Sequence, residues 1–170
     1  MSALDIQPRT LESLVGQRMP PDILASTLTE SLVLAEHPNL VIYLYPGAAG
    51  IIRGDETPLI DAAQHRGFQT HLSSFTASGY TVIGLSSQTS HRQRHLAHRH
   101  RLSHALVSDP NFRVAETLGV PTLRLGAARV YDRLTLVVTR GSMSLVLSPL
   151  PTPESHPAFL AELLRRKRQR

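Results

Sequence analysis

Asp61 and His65 stand four residues apart in a segment where Ala62, His65, Phe68, Leu72 and Phe75 recur at spacings of three and four, the signature of an amphipathic helix. On such a helix the carboxylate and the imidazole share one face, one turn apart. A carboxylate so placed can orient a histidine as a general base. The same spacing suits a histidine that merely packs beside Phe68, Leu72 and Phe75. Asp61, at the start of the segment, also reads as an N-cap or first-turn carboxylate, which stabilises a helix by roughly 0.5–2 kcal/mol. A second constellation is the run His91, His95, His98, His100 and His104. His91, His95 and His98 fall on one helical face, the spacing of a zinc or nickel site. Against a metal, Arg92, Arg94, Arg99 and Arg101 are interspersed and residues 91–104 contain no carboxylate, so the local field repels cations. A solvated His/Arg-rich face is the simpler reading, and adventitious metal binding the alternative. The chain has no cysteine, which excludes disulfides, thiolate metal sites and all thiol chemistry.

The elements that carry these groups are legible in the hydrophobic pattern. Residues 40–45 form a continuous apolar and aromatic run stopped by Pro46-Gly47, as expected of a buried central strand. Residues 48–58 read as a loop, 61–78 as a helix closed by Gly79, and 81–86 as a second buried strand. A helix over 90–101 with Ser90 as N-cap follows, then a short strand at 105–108 and a small helix from Asp109-Pro110 to Gly119. Residues 134–147 read as a hairpin turning at 140–142, and 157–170 as a last helix with Phe159, Leu160, Leu163 and Leu164 as its apolar stripe. Residues 1–36 suggest a loose opening hairpin. The order β-α-β-α-β-α-β-β-α implies one α/β domain over 1–170, with a mixed sheet and helices on both faces, the layout of a thioredoxin-like fold.

Composition sets limits on partners. The chain has 170 residues, 41% hydrophobic and 18% charged, within the range of one globular domain. Seventeen of its eighteen basic residues are arginine, and residues 165–170 carry five of the eighteen, leaving thirteen basic against thirteen acidic residues elsewhere. The net charge of +5 is therefore that of a basic tail on a formally neutral body. No aromatic residue interleaves with either basic run, as single-strand stacking requires, so specific nucleic-acid binding is not expected. No apolar run reaches the ~20 residues of a membrane span, and the first residues lack a signal-peptide core; a cytoplasmic location is the expectation.

Several strings in this order resemble the peroxiredoxin-like proteins of the alkyl hydroperoxide reductase and thiol-specific antioxidant superfamily. They are Tyr45-Pro46-Gly47, Phe68 with His71, Gly84-Leu85-Ser86-Ser87-Gln88, Gln93-Arg94, Leu106-Val107-Ser108-Asp109, Leu118-Gly119-Val120-Pro121-Thr122, and Arg133-Leu134-Thr135-Leu136-Val137-Val138. The resemblance spans roughly residues 20 to 165. It implies a thioredoxin-like fold whose first long helix begins, in relatives, with a peroxidatic cysteine, often with a resolving cysteine five residues later. In relatives an arginine from a distant strand supports the thiolate, and Arg133 stands at its expected place. Alignment on Phe68 puts Asp61 at the first cysteine position and Arg66 at the second. Alignment on Thr57-Pro58 puts Ile60 or Glu56 near the first, because residues 50–59 depart from the pattern. Neither recovers a thiol, so the family's peroxidase step, attack of sulfur on an O–O bond, is excluded.

The resemblance leaves three readings of function. The first is a non-catalytic homologue that binds a small molecule or a protein partner in the former peroxide pocket, with Tyr45, Thr57 and Arg66 about it and Asp61–Arg133 as a salt bridge. The second is a converted enzyme in which Asp61, His65 and Arg133 do acid–base or electrostatic work on a small oxygenated or anionic substrate. The third is metal binding by residues 91–104. None implies a resident cofactor, and relatives of the fold suggest a homodimer.

Overall fold

The computed structural model describes residues 11–47, 56–148, 152 and 155–170. In chain order the elements are β1 (Ile23–Ser26), β2 (Ser31–Val33), β3 (Leu40–Leu44), α1 (Thr57–Thr70), α2 (Leu72–Ala77), β4 (Thr81–Ser86) and α3 (Ser90–Arg99). They continue with β5 (Ala105–Ser108), α4 (Arg113–Leu118), β6 (Thr122–Leu125), β7 (Ala128–Tyr131), β8 (Leu134–Thr139), β9 (Ser142–Leu147) and α5 (His156–Arg168). Short 3-10 turns lie at Leu11–Leu14 and Leu34–Glu36.

Every residue of β3 is buried, and the strand occupies an inner position of a seven-stranded sheet ordered β2-β1-β5-β4-β3-β8-β9. β3, β4 and β5 run parallel; β1, β8 and their outer neighbours join antiparallel. A strand covered on both faces needs no polar alternation, which is why its sequence is apolar throughout. Leu40, Ile42 and Leu44 enter one core layer with Leu14, Leu24, Val114 and Leu118. Val41, Tyr43 and Tyr45 enter the other with Phe68, Phe75, Leu102, Leu106 and Leu160. Helices α1, α2, α3 and α5 cover the second layer, while α4 and the 3-10 turns cover the first. This is the α/β thioredoxin-like arrangement that the pattern predicts. The opening hairpin is β1–β2, turning at residues 27–30; residues 1–10 and most of the expected loop, 48–55, lie outside the described residues.

Five local expectations are corrected. The first long helix begins at Thr57, four residues before Asp61, because Pro58 sits in its first turn, where a missing N–H costs nothing. It breaks at His71 into α1 and α2. α3 is capped by Thr89 rather than Ser90, the Thr89 hydroxyl accepting from Arg92 N–H at 3.4 Å. Residues 122–131, assigned no element from the sequence, form the β6–β7 hairpin, a separate two-stranded sheet. Phe159 is 54% exposed, and the buried stripe of α5 is His156, Pro157, Leu160, Ala161 and Leu164. His156 sets that rotation by bonding Thr135 Oγ1 inside the core at 2.9 Å. In the basic tail Arg165 and Arg166 pair with Glu162, and Arg168 donates to the Ala77 carbonyl at the end of α2. Among the described residues no helix is long and apolar enough to cross a membrane.

Gly84 faces Tyr43 across the β3–β4 pair. A Cβ there would meet Tyr43 Cζ at 2.6 Å, Tyr43 Oη at 2.7 Å and Leu106 Cδ2 at 2.6 Å. The glycine thus lets the tyrosine ring lie across β4. Gly84→Ala is expected to cost about 1–3 kcal/mol, the usual range for overpacking a full core, read as a lower urea midpoint. An unchanged midpoint would show that the Tyr43 ring is not held.

Candidate functional site

Because α1 starts at Thr57, Asp61 is a second-turn residue and caps nothing; the N-cap position is Glu56, with no side-chain capping bond. The Asp61 side chain faces the residue just before β8. Its Oδ1 accepts from Arg133 Nη2 at 2.5 Å, and its Oδ2 accepts from the Gly47 backbone N–H at 3.0 Å. Arg133 Nη1 donates to Gln64 Oε1 at 2.5 Å. Three residues apart on one helix, Asp61 and Gln64 thus clasp both terminal nitrogens of one guanidinium. The two charged side chains are 8% and 18% exposed, so the pair is largely shielded from water.

Gly47 links this clasp to the strand ends. Its φ is +65° and a Cβ would strike Gln88 at 2.6 Å, two reasons for glycine. Its carbonyl accepts from Gln88 Nε2 at 3.0 Å. The Gln88 carbonyl accepts from Ser108 Oγ at 2.6 Å, and Gln93 Nε2 reaches Ser86 Oγ at 3.1 Å and the Val107 carbonyl at 2.8 Å. The carboxyl ends of β3, β4 and β5 are joined by side-chain amides. Tyr45 belongs to this buried layer, not to a pocket mouth: it is fully buried, 3.5 Å from Gln93 Nε2, and burial raises its pKa so that the phenol keeps its proton.

His65 does not join Asp61. Its Nδ1 lies 2.8 Å from Tyr43 Oη, and Tyr43 Oη lies 2.7 Å from His104 Nε2. The directions follow from the far end. Gln69 Oε1 accepts from the Ser103 backbone N–H at 2.7 Å and faces His104 Nδ1 at 3.3 Å, so that nitrogen carries the proton. His104 Nε2 then accepts from the Tyr43 hydroxyl, and Tyr43 accepts from His65 Nδ1–H. What remains is the lone pair of His65 Nε2, buried and without a hydrogen-bond partner. The Tyr45 ring meets His65 edge-on at 4.5 Å and the His100 ring lies 6.0 Å away.

The other candidates are dispersed. Thr57 is the first residue of α1. Arg66 is exposed and lines a separate cavity of about 230 Å³ with Ala63, Gly67, Thr70 and His71. His91, His95 and His98 are exposed on α3, and among the described residues no group of three His, Cys, Asp or Glu is placed to hold a metal ion. His104, expected with them on a solvated face, is 3% exposed and belongs to the core chain through Tyr43. Gln64, Tyr43 and Gln88 were not singled out from the sequence. Gln64 carried a signal in its i, i+3 relation to Asp61, and Tyr43 in being a hydroxyl inside an otherwise apolar strand, which must find partners.

Comparison with known proteins places these features. The family model described as the AhpC/TSA family matches residues 24–142. The chain belongs to the AhpC/TSA family. It is 31% identical over 118 residues to the chloroplastic Peroxiredoxin Q of Suaeda salsa, a match covering 69% of this chain and 50% of that one; it thus spans half the length of that relative. The structure is similar to Peroxiredoxin Q of Xanthomonas campestris (TM-score 0.74, 18% identity, 92% of this chain and 99% of that one). It is also similar to peroxidoxin BcpB of Mycobacterium tuberculosis (TM-score 0.73, 21% identity, 89% and 96%). This AhpC/TSA member has no cysteine, so it is a cysteine-free homologue whose residues offer no thiol for the family's peroxidase step.

The buried imidazoles make its stability depend on pH. Burial, helped by the nearby His104, His100, Arg133 and Arg66, lowers the pKa of His65 to about 3. Burial alone lowers His104 and His156 to about 4, against about 6.5 for a solvated imidazole. Below about pH 6.5 the unfolded chain takes up protons that the native state refuses, so stability falls as pH drops through that window. Each group adds up to about 1.4 kcal/mol per pH unit. Urea midpoints are expected to be level above pH 7 and to fall steadily from pH 6.5 to pH 5. A level profile to pH 5 would contradict the buried neutral state of these histidines.

Proposed function

We propose that this AhpC/TSA member acts by binding rather than by catalysis, with the former peroxide pocket kept as a recognition site for a small molecule or protein partner. The observation that carries this reading is the clasp on Arg133. The cation that the resemblance assigns to supporting a thiolate is instead held by Asp61 and Gln64, at 2.5 Å each. An internal carboxylate takes the anion's place, and the chain has no cysteine to supply the sulfur. Gln64 Nε2, buried and without a hydrogen-bond partner, is a donor that a ligand's acceptor atom could satisfy. A homodimer and a cytoplasmic location belong to the same proposal, tested by light scattering and by cell fractionation.

A second reading, acid–base catalysis by Asp61, His65 and Arg133, draws on the free lone pair of His65 Nε2. It is weaker because His65 is fully buried and is oriented by Tyr43 rather than by Asp61.

Two measurements test the proposal, and the second separates the two readings. Hydrogen peroxide consumption with a thiol reductant is expected to stay at the blank rate. Asp61→Asn alone leaves a shielded guanidinium without its anion and should cost about 3–5 kcal/mol. The pair Asp61→Asn with Arg133→Gln removes both charges and should recover most of that loss. A folded double variant that still complements a deletion strain supports binding. One that folds but fails to complement would give the function to the chemistry of the ion pair.

A further inference from the structure

A cleft of about 700 Å³ opens between α3 and the β1–β2 turn, lined by Leu28, Arg94, Ala97, His98, Arg101 and Leu102, with Thr27 at its edge. It shares no residue with the Asp61–Arg133 site and stands independently of the function proposed there. Its floor is apolar. Leu28 is 57% exposed, yet the turn that carries it is pinned: Thr27 N–H donates to the Leu106 carbonyl at 3.0 Å, and Leu106 N–H to Thr27 Oγ1 at 2.9 Å. An exposed leucine on a fixed support loses little freedom when a partner covers it.

The wall is cationic. Arg94 and His98 stand at i and i+4 on one face of α3, and Arg101, two residues past the end of the helix, joins them in the lining. Among the described residues neither arginine has an ion-pair partner. The turn's carboxylate, Glu30, does not line the cleft. Arg101 holds a further peculiarity. Leu102 N–H bonds the Ala97 carbonyl at 2.9 Å and Arg101 N–H the His98 carbonyl at 3.2 Å, the double bond pattern of a Schellman cap. In that motif the residue with left-handed backbone is ordinarily glycine; here it is Arg101, at φ +52°. Glycine would relax this backbone, so the Arg101 side chain is kept at a small cost to the fold.

We propose that the cleft docks an acidic segment of a partner protein, its carboxylates on Arg94, His98 and Arg101 and one apolar side chain on Leu28, Ala97 and Leu102. Three features select this occupant. Leu102 alone of the lining is buried, so the cleft is too open to enclose a small molecule. The cationic surface continues along α3 through exposed Arg92, His95 and Arg99, which suits a segment. No Phe, Tyr or Trp side chain lines the cleft, so it lacks the large rings on which successive bases stack.

The test is fluorescence anisotropy with a fluorescein-labelled twelve-residue peptide of repeated Glu-Glu-Leu. Oligoglutamate and oligothymidylate of equal charge serve as comparators. The Glu-Glu-Leu peptide is expected to bind more tightly than either, and binding should weaken as salt rises. Arg94→Gln and Arg101→Gly should each weaken it about tenfold, the size of one lost charge-assisted contact, and Leu28→Ser should weaken it as well. Arg101→Gly should at the same time raise the melting temperature, because it relieves the left-handed backbone; its loss of binding therefore cannot come from unfolding. Absence of binding below millimolar peptide, unchanged affinity in Arg101→Gly, or equal affinity for oligoglutamate would each overturn the proposal. Tighter binding of oligothymidylate would overturn it in favour of nucleic acid.

Discussion

A guanidinium four-fifths removed from water must find its anion inside the protein, because an unpaired buried charge costs several kcal/mol. Arg133 sets that demand, and the surroundings of the site are arranged to meet it. α1 has to begin early enough for Asp61 to reach the loop before β8, and Pro58 in its first turn allows that. The second carboxylate oxygen then holds the Gly47 amide, which ends β3 and receives Gln88 from beyond β4. One ion pair therefore ties together a helix, the connection into β8 and the ends of the parallel strands. Arginine suits the role better than lysine, since its fork addresses Asp61 and Gln64 at once.

Behind the charged clasp lies a neutral one. His65, Tyr43, His104 and Gln69 form a chain of donors pointing one way, buried between α1 and the sheet. Neutral imidazoles can occupy a core where charged ones cannot, and in this chain of donors only the lone pair of His65 Nε2 is left without a partner. α1 thus presents two polar faces with different chemistry: Asp61 and Gln64 toward Arg133, His65 and Gln69 toward the strands. The separation explains why the carboxylate and the imidazole one turn apart do not form a couple. Each already has a stronger claim on it, an ionic one for Asp61 and a packed, aromatic one for His65.

The buried strands and the order of elements were legible because burial on both faces forces continuous apolar runs at 40–45 and 81–86. The Asp61–Arg133 juxtaposition was legible only through the resemblance, since 72 residues separate the partners and no local pattern joins them. Other features escaped for definite reasons. The β6–β7 hairpin has half-exposed strands with little apolar contrast. His104 sits in a run of exposed histidines and arginines, yet it lies beyond the end of α3, where the chain has already turned inward toward β5. Phe159 matches the apolar period of α5 and yet faces outward, because the rotation of the helix is set by the polar His156–Thr135 bond.

α3 shows how the interior and the exterior of the molecule are uncoupled. A ten-residue helix this polar would be marginal alone. It is held by Thr89 at one end, by the Schellman bonds at the other, and by Gln93, which is fully buried and bonded to Ser86 and Val107. Leu96 and Ala97 add partial packing against the core. Nothing in that list involves the side chain of Arg94, His95, His98 or Arg101. The outer face is consequently free of structural duty, and any soluble side chains would satisfy the fold there. That it carries cations without a single acid, and keeps Arg101 where glycine would relax the backbone, is what an acidic partner docked on this face would account for.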